Sequence, residues 1–310
     1  MAFTAKDVQT LRQMTGCGMM DCKKALTESN GDMDKAVEYL REKGLSAAAK
    51  KADRVAAEGV VYAVADAAKK VGAIIEVNSE TDFVAKNADF NAFVAQCAQI
   101  IMEQNPADVD ALLACKTENG MTVEELLREK ILVISENLKI RRFQQVKEEN
   151  GFVASYIHAG GKIGVLVDVE TDVVNDAVKE MARNVAMQCA ALKPQYTDRS
   201  EISADFIEHE KSILMAQIMN DPKEASKPEK VIQGMIQGRI NKELKEICLL
   251  DQVYVKAEDG KQSVAQYVAQ VAKANNATVA VKGFVRFETG EGIEKKEENF
   301  AEEVAKQMNA

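Results

Sequence analysis

The sequence contains no tryptophan, and aromatic residues make up only 5% of its 310 positions. Aromatic platforms on which nucleic-acid bases stack are therefore not expected. Histidine is scarce too, since His158 and His209 are the only two and lie far apart in the sequence. Without an HExxH motif or a cluster of cysteine and histidine, neither a zinc site nor histidine-based catalysis is predicted. We expect no metal, no cofactor and no covalent chemistry.

An excess of basic charge and long apolar runs are also lacking. The formal net charge is −9, so the chain does not carry the electrostatic footprint of a general nucleic-acid binder. No stretch approaches about 20 uninterrupted apolar residues, which excludes a predicted membrane span. The start of the chain leads directly into a predicted helix and shows no signal-peptide pattern. The six cysteines form no CxxC pair, which favours reduced thiols in a cytoplasmic protein.

The N-terminal stretch, residues 1–58, is predicted to form three short helices and a linking helix. Thr4 and Asp32 suit N-caps, and Gly44 is expected to end the third helix. An alanine-rich linking helix should then run over 45–58. The three-helix layout, with its Gly-Cys-Gly-Met-Met loop, resembles a ubiquitin-associated (UBA) domain, a class that binds partners through that loop and the last helix. The apolar stripes are Val8, Leu11 and Met14; Met19, Cys22, Ala25 and Leu26; and Met33, Ala36, Val37 and Leu40.

An internal repeat follows. Residues 59–78 can be laid on residues 151–170 at a constant shift of 92, which matches Gly72 with Gly164. Each copy has the pattern strand, turn, strand, helix. Strands paired in hairpins with helices after them favour an α+β fold with antiparallel sheets rather than a parallel α/β fold. The predicted core units are 59–150 and, for the second unit, 151–202 with 251–289.

Residues 203–250 carry two helical apolar stripes around a proline-bearing tip. This pattern favours an inserted antiparallel helical hairpin, a coiled coil that projects from the body. A helix near 263–274 and a strand over 278–288 should follow, and then a C-terminal acidic helix within 290–310. The stripe residues are Ile207, Ile213, Leu214 and Ile218 in the first helix, and Ile232, Met235, Ile236, Ile240 and Leu244 in the second.

Two arrangements with the residue types of catalysis are better explained as hairpins. Residues 160–164, Gly-Gly-Lys-Ile-Gly, lack the spacing of a phosphate-binding loop and lie between two strands rather than before a helix. Ser155, His158 and Asp168 are the residue types of a hydrolytic triad, but they are strung along one predicted hairpin. Neither arrangement therefore predicts an enzyme.

Phe83 follows a polar cluster at the end of the second strand of the first copy. Glu76 lies in the predicted strand, and Glu80 and Asp82 lie at its end. An exposed loop is the default for this stretch with its three carboxylates, and paired-carboxylate chemistry is the alternative. Phe83 either packs under the next helix or is displayed for a partner. At the shift of 92, residue 83 corresponds to Asn175, so the duplicated scaffold does not require a phenylalanine there. This difference favours display.

Four stretches, in order along the chain, resemble the elongation factor Ts family, and together they span nearly all of it. Any one alone would be suggestive, whereas the four in family order are specific. The resemblance implies an N-terminal UBA-like domain, a two-part core, an inserted coiled coil and a C-terminal helical module, which is the order of the segments predicted above. The stretches are 15–26 (TGCGMMDCKKAL), 76–86 (EVNSETDFVAK), 158–167 (HAGGKIGVLV), and 283–294 with GFVRFE and GEGIE.

The resemblance implies a guanine-nucleotide exchange factor of translation elongation. Such a factor binds elongation factor Tu with GDP, displaces Mg²⁺ and promotes release of GDP so that GTP can bind. In the family, the Asp-Phe pair of the TDFV motif enters the nucleotide-binding domain of the partner. The positions of this chain that match the motif are Thr81, Asp82, Phe83 and Val84.

The family makes other contacts with the same partner. The N-terminal domain docks on the nucleotide-binding domain, and the resemblance implies that Met19, Met20 and Lys23 make this contact. Met19 is the weaker candidate because it fits an apolar stripe. The second core half touches a second domain of elongation factor Tu. The residues implied for that contact are His158, Gly160 and Gly161, although His158 is equally explained as a turn residue without a role.

Several points stay open on the sequence. The helical hairpin could add contacts or form a homodimer, and the role of the helical insertion near 104–135 is undetermined. The main alternative function is a UBA-type adaptor that binds ubiquitin and is indifferent to guanine nucleotides. The core motifs argue against the adaptor, and an enzyme is weaker still because no nucleophile–base pair or cofactor loop is found.

Overall fold

A computed structural model describes residues 3–294 of the chain. Its N-terminal part consists of helices α1 (Ala5–Thr15), α2 (Met19–Glu28) and α3 (Met33–Lys51). Thr4 and Asp7 form a capping box at α1, and the Asp32 side chain caps α3, as predicted. Met14, expected in the α1 stripe, is exposed instead. The buried core of these helices is Val8, Leu11, Cys17, Cys22, Ala25, Leu26, Ala36 and Leu40.

Two three-stranded antiparallel sheets occupy the centre of the molecule. In each sheet, two consecutive strands form a hairpin, and a strand from later in the chain pairs with the second of them. Together with the surrounding helices they confirm the α+β class. The first sheet contains β1 (Glu58–Asp66), β2 (Val71–Ser79) and β3 (Lys139–Lys147). The second contains β4 (Gly151–His158), β5 (Ile163–Thr171) and β6 (Val279–Glu288).

Helices cover the outer faces of the two sheets, which pack on each other through their inner faces. The resulting order is helix, sheet, sheet, helix, so every residue of the central strand β2 is buried. After β2 come α4 (Asp82–Ala85), α5 (Ala88–Gln104), α6 (Val109–Ala114) and α7 (Val123–Ile134), and after β5 comes α8 (Asp176–Leu192).

Helix α3 is longer than the sequence predicts, because Gly44 lies inside it rather than at its end. Gly44 faces α7, where a methyl group built on it would lie 3.4 Å from the carbonyl oxygen of Arg128, an ordinary van der Waals contact. The separate linking helix predicted over 45–58 is therefore wrong. Its first part belongs to α3, and its last residue, Glu58, begins β1.

A helical hairpin is inserted between α8 and the last helix. It comprises α9 (Ala204–Met219), a short α10 (Pro222–Ala225) and α11 (Glu229–Ile247), and α12 (Val264–Ala274) then leads to β6. The main-chain amide of Gln195 donates to the carbonyl of Ile247 over 2.8 Å, which ties the end of α11 to the base of the hairpin. Ile213 is 37% exposed, so its predicted place in the stripe is wrong. The buried stripe residues are Ile218, Ile232, Ile236, Ile240 and Leu244.

The C-terminal acidic helix predicted within 290–310 falls largely outside the described residues, which end at residue 294. Residues 290–294 are described and form a turn beyond β6. The turn lies against the first sheet, where the amide of Gly290 donates to the Glu76 carboxylate over 2.8 Å. The fourth family-like stretch is thereby joined to the second.

The internal repeat is reproduced strand for strand. β1 and β2 correspond to β4 and β5 at the shift of 92, with the same antiparallel register. The middle strand of each copy has a register irregularity at the corresponding point, directly after Glu76 and directly after Asp168. The third strands correspond as well, at a shift of 141, because Glu76 pairs with Arg142 and Asp168 pairs with Gly283.

The two copies differ in the connection from the middle strand to the helix. Asn87 caps α5 and Asn175 caps α8, and the shift between these caps is 88 rather than 92. The sequence-based correspondence of residue 83 with Asn175 is therefore wrong. The first copy has four additional residues, the length of α4, and Phe83 in α4 has no counterpart in the second copy.

The inner faces of the two sheets meet through a reciprocal contact. A methyl group built on Gly164 would lie 2.5 Å from Val61 Cγ1, and one built on Gly72 would lie 2.7 Å from Val153 Cγ1. Val61 and Val153 are equivalent at the shift of 92, as are the two glycines. Each copy therefore inserts a valine where the other has a glycine, and the repeated glycines are explained by packing.

Replacing Gly164 by alanine should destabilise the fold by about 1–3 kcal/mol, because the added methyl group overpacks a closed interface. Urea unfolding would measure this. Gly283→Ala is the matched control, since nothing lies within 4 Å of a methyl group at that strand position. Equal effects of the two substitutions would contradict the packing explanation.

Candidate functional site

The turn α4 displays Phe83 to solvent. The Phe83 side chain is 79% exposed, the largest exposed fraction among the large hydrophobic residues of the described range. Its neighbour Val84 is buried in the core of the first sheet. Adjacent residues thus point in opposite directions, so Val84 anchors the turn while Phe83 is presented outward. Packing of Phe83 under the following helix does not occur.

Polar contacts hold the start of the turn. The Ser79 hydroxyl donates to the carbonyl of Thr81 over 2.9 Å. Although Thr81 occupies the N-cap position of α4, its hydroxyl makes no capping bond and donates instead to Glu136 Oε1 over 2.6 Å. Glu136 lies in the connection from α7 to β3, far from the turn in sequence, so no local pattern could have predicted this contact.

The charges beside Phe83 are paired. Lys86 Nζ lies 2.7 Å from Asp82 Oδ2, and this hydrogen bond lowers the pKa of the exposed Asp82 carboxyl below its usual value. Lys86 Nζ also lies 5.9 Å from the centre of the Phe83 ring, within the range of a cation–π contact. The turn therefore presents an aromatic ring flanked by one negative and one positive group.

The predicted residues of the second copy lie in the turn between β4 and β5. Gly160 and Gly161 adopt positive φ angles of 65° and 95°, which favour glycine. The Gly161 carbonyl accepts hydrogen bonds from the amide of Val61 over 2.7 Å and from the hydroxyl of Thr289 over 3.0 Å. His158 is exposed, and its Nδ1 lies 3.0 Å from the hydroxyl of Tyr156.

These two turns lie at the same end of the paired sheets. Lys162, next to Gly161, forms an ion pair with Glu58 at the start of β1. Lys86 has the largest effect on the pKa of Asp82. The charge of Glu58 raises that pKa, and the charge of Lys162 lowers it. The structure thus brings together residues 81–84 and 158–161, which are far apart in sequence, and adds Lys162, which sequence reasoning did not single out.

The third predicted set lies on α2, which packs against α1 and α3. Met20 is 74% exposed, and Lys23 is exposed as well. Met19 is also exposed, at 45%, so its predicted place in the apolar stripe is wrong. Within residues 3–294, this set makes no hydrogen bond or ion pair with the Phe83 turn.

The three carboxylates Glu76, Glu80 and Asp82 have separate environments. Glu76 is fully buried, and its oxygens lie 3.0 Å from Arg141 Nη1 and 2.6 Å from Arg142 Nε. Glu80 accepts a hydrogen bond of 2.6 Å from the amide of Asn137. Glu76 lies in a strand, as predicted, but it is buried rather than exposed, and paired-carboxylate chemistry is not supported because the carboxylates have structural partners.

Asp168 takes in β5 the place that Glu76 has in β2, but it lacks an arginine partner. Its Oδ1 is buried and has no hydrogen-bond partner among the described residues. Burial and the neighbouring Glu148 carboxyl raise the pKa of Asp168 to about 7, and the Lys282 charge opposes this rise. In the β4–β5 ladder Asp168 pairs with Val153.

The free energy of unfolding should fall as the pH rises from 5 to 7. The folded chain keeps a proton on Asp168 up to a pKa of about 7, whereas the unfolded chain releases it near 3.8. The folded state therefore binds more protons in this window, and stability declines with rising pH. The change should be on the order of 1–2 kcal/mol after solvent screening of this partly buried group.

Asp168→Asn should remove that decline and leave the protein more stable than the wild type at pH 8. Urea unfolding at pH 5 and pH 8 of both proteins measures the difference. Glu148 has a lowered pKa, so its effect on the free energy of unfolding falls below about pH 4.5, its ordinary pKa, and outside this window. An equal decline in the variant would assign the pH dependence to another group.

The described residues 3–294 contain no group of three or more histidine, cysteine, aspartate or glutamate side chains placed to hold a metal ion. In the same range, no helix combines the length and the apolar character that crossing a membrane requires. The six cysteines are free, and burial raises the pKa of Cys97 to about 12. A thiol with that pKa stays protonated at neutral pH and is a poor nucleophile.

A rigidly held, exposed aromatic side chain is a typical anchor of a protein-binding surface. The fold and the turns together therefore define a class, an α+β protein whose conspicuous surface features suit contact with another protein. The elongation factor Ts sequence profile matches residues 80–291. The chain belongs to the elongation factor Ts family.

Individual relatives match over almost their whole length. Elongation factor Ts of Clostridium perfringens is 50% identical over 304 residues, which cover 98% of both chains. Elongation factor Ts of Clostridioides difficile strain 630 is 51% identical over 306 residues, which cover 99% of both chains. The resemblance of the four sequence stretches to this family is thereby confirmed.

Proposed function

We propose that this protein is a translation elongation factor that exchanges guanine nucleotides on elongation factor Tu in the cytoplasm. It binds the Tu–GDP complex, displaces Mg²⁺ and promotes GDP release, without covalent chemistry. The observation that carries the proposal is the exposed Phe83 on a turn that the family motif includes and the second copy lacks. Family membership supports the partner.

Exchange follows from linked binding. A factor that binds the nucleotide-free partner more tightly than the Tu–GDP complex must weaken GDP, and GDP must weaken the factor by the same ratio. Phe83 enters the nucleotide-binding domain as a wedge, with Asp82 and Thr81 beside it and Val84 holding the turn to the core. An aromatic wedge brings a large apolar area with few torsions to immobilise.

The wedge needs further contacts to act. A thousandfold acceleration of release requires lowering the barrier by about 4 kcal/mol. Burying one phenylalanine supplies about 1.5–3 kcal/mol, part of which is spent in displacing partner elements. The rest must come from other surfaces, which hold the factor in place while the wedge acts.

Two other surfaces supply these contacts in the proposal. The turn with His158, Gly160 and Gly161 touches a second domain of elongation factor Tu, and its position beside Lys162 and the Phe83 turn allows one partner to meet both. Met20 and Lys23, with Met19, dock the UBA-like N-terminal domain on the nucleotide-binding domain. The coiled-coil hairpin adds contacts or a homodimer interface.

Release of a fluorescent GDP analogue from purified elongation factor Tu tests the function. Stopped-flow traces with this protein in catalytic amounts should show faster release than traces without it. No acceleration would overturn the exchange function and favour the UBA-type adaptor, which predicts ubiquitin binding. Direct binding of GDP to this chain alone should not be observed.

A further inference from the structure

Glu136 makes a three-point contact with the segment that leads into the Phe83 turn. Its Oε2 accepts hydrogen bonds from the amides of Glu80 and Thr81, each over 3.0 Å, and its Oε1 accepts the Thr81 hydroxyl over 2.6 Å. Hydrogen bonds to an ionised carboxylate are stronger than neutral ones. Two consecutive main-chain amides directly before α4 are thus fixed by one side chain.

The second copy shows which part of this arrangement is shared. Glu80 accepts the amide of Asn137 over 2.6 Å, and its equivalent Asp172 accepts the amide of Thr278 over 2.7 Å. These contacts correspond through the shifts of 92 and 141 that the ladders define. A carboxylate clamp between the end of the middle strand and the start of the third strand therefore belongs to the duplicated scaffold.

The Glu136 contact does not belong to that scaffold. At the shift of 141 its counterpart is Ala277, which has no polar side chain. The second copy also lacks α4, since only four residues separate Thr171, the end of β5, from Asp176, the start of α8. The additional carboxylate and the additional turn thus occur together in the first copy and are both missing from the second.

We infer that Glu136 is a positioning residue for nucleotide exchange, which holds the α4 turn so that Phe83 meets its partner in one orientation. The inference rests on the proposed function. Val84 fixes the turn from the core side, and Glu136 fixes the two residues directly before it, Glu80 and Thr81. Fixing the turn before binding avoids the loss of chain freedom on association.

Glu136→Ala should slow maximal GDP release at saturating factor by about tenfold, while the wild-type factor sets the reference. Glu136→Gln should retain most activity, because its amide oxygen can accept both main-chain amides and its amino group can donate to the Thr81 hydroxyl. Asp259→Ala is the control. Asp259 likewise accepts two loop amides, of Lys261 and Gln262, each over 2.9 Å, but in a loop of the second unit.

A double-mutant cycle separates positioning from general structure. In a Phe83→Ala background, Glu136→Ala should cause no further loss of rate, since the residue it positions is already missing. Equal losses in both backgrounds, or an equal loss for Asp259→Ala, would overturn the inference. So would full activity of Glu136→Ala.

A second readout does not depend on exchange. Because the chain has no tryptophan, Phe83→Trp supplies a single reporter on the turn. Its fluorescence anisotropy should fall when Glu136→Ala is added and should stay unchanged with Asp259→Ala. If the wild type fails to accelerate GDP release, the proposed function fails, whereas unchanged anisotropy in the Glu136→Ala protein overturns the positioning role itself.

Discussion

Phe83→Ala should reduce the acceleration of GDP release by about 10- to 100-fold while leaving the fold intact. The reduction corresponds to losing the burial of one phenylalanine side chain at the interface, about 1.5–3 kcal/mol. Because Phe83 is 79% exposed in the free protein, its removal should change the free energy of unfolding by no more than about 0.5 kcal/mol. Stopped-flow release and urea unfolding measure the two quantities.

Val174→Ala is the matched control for this experiment. Val174 is 48% exposed and lies in the shorter connection of the second copy, where no α4 turn exists. Its removal should leave both exchange and stability unchanged. Normal exchange by Phe83→Ala would refute the wedge and assign the mechanism to the other contacts. Unfolding of Phe83→Ala at a clearly lower urea concentration than the wild type would show that Phe83 supports the fold.

Glu76→Ala should lower the free energy of unfolding by about 2–4 kcal/mol. The substitution leaves Arg141 and Arg142 without their fully buried partner and leaves the Gly290 amide without its acceptor. The loss is expected near the lower part of the range for a buried pair, because both arginines are partly exposed and regain water. Urea unfolding measures it.

The matched control is Glu170→Ala, which removes the partner of Lys282 on the second sheet. Both side chains of that pair are about half exposed, at 43% and 53%, so the loss should stay below about 1 kcal/mol. A loss for Glu76→Ala no larger than this would mean that the buried cluster contributes little net stability.

Much of the fold could be predicted from patterns that are local in sequence. The capping residues Thr4 and Asp32, the hairpin strands and the repeat at a shift of 92 all follow from spacing and residue type. The apolar stripe of α11 was found for the same reason, because its period is that of the helix itself. The exposure of Phe83 was favoured by the lack of a phenylalanine in the second copy, although Asn175 was the wrong residue to compare with it.

The errors arose where a tertiary contact decides the outcome. Gly44 ends no helix because α3 packs on α7 along this stretch and continues through it. Glu76 is buried because Arg141 and Arg142 on another strand neutralise it. Glu136 could not be found at all, since its partners at residues 80 and 81 become neighbours only in the fold.

The reciprocal packing of Val61 on Gly164 and Val153 on Gly72 makes the contact between the sheets self-complementary. A single copy would carry both the knob and the hole, and two identical copies could join through this face as a symmetric dimer. Joining the copies in one chain makes their association independent of protein concentration. It also makes the two copies independent in sequence, so that the connection in the first copy can contain α4 and Phe83 while the connection in the second copy is shorter. A duplicated scaffold thus allows a symmetric core to support an asymmetric surface.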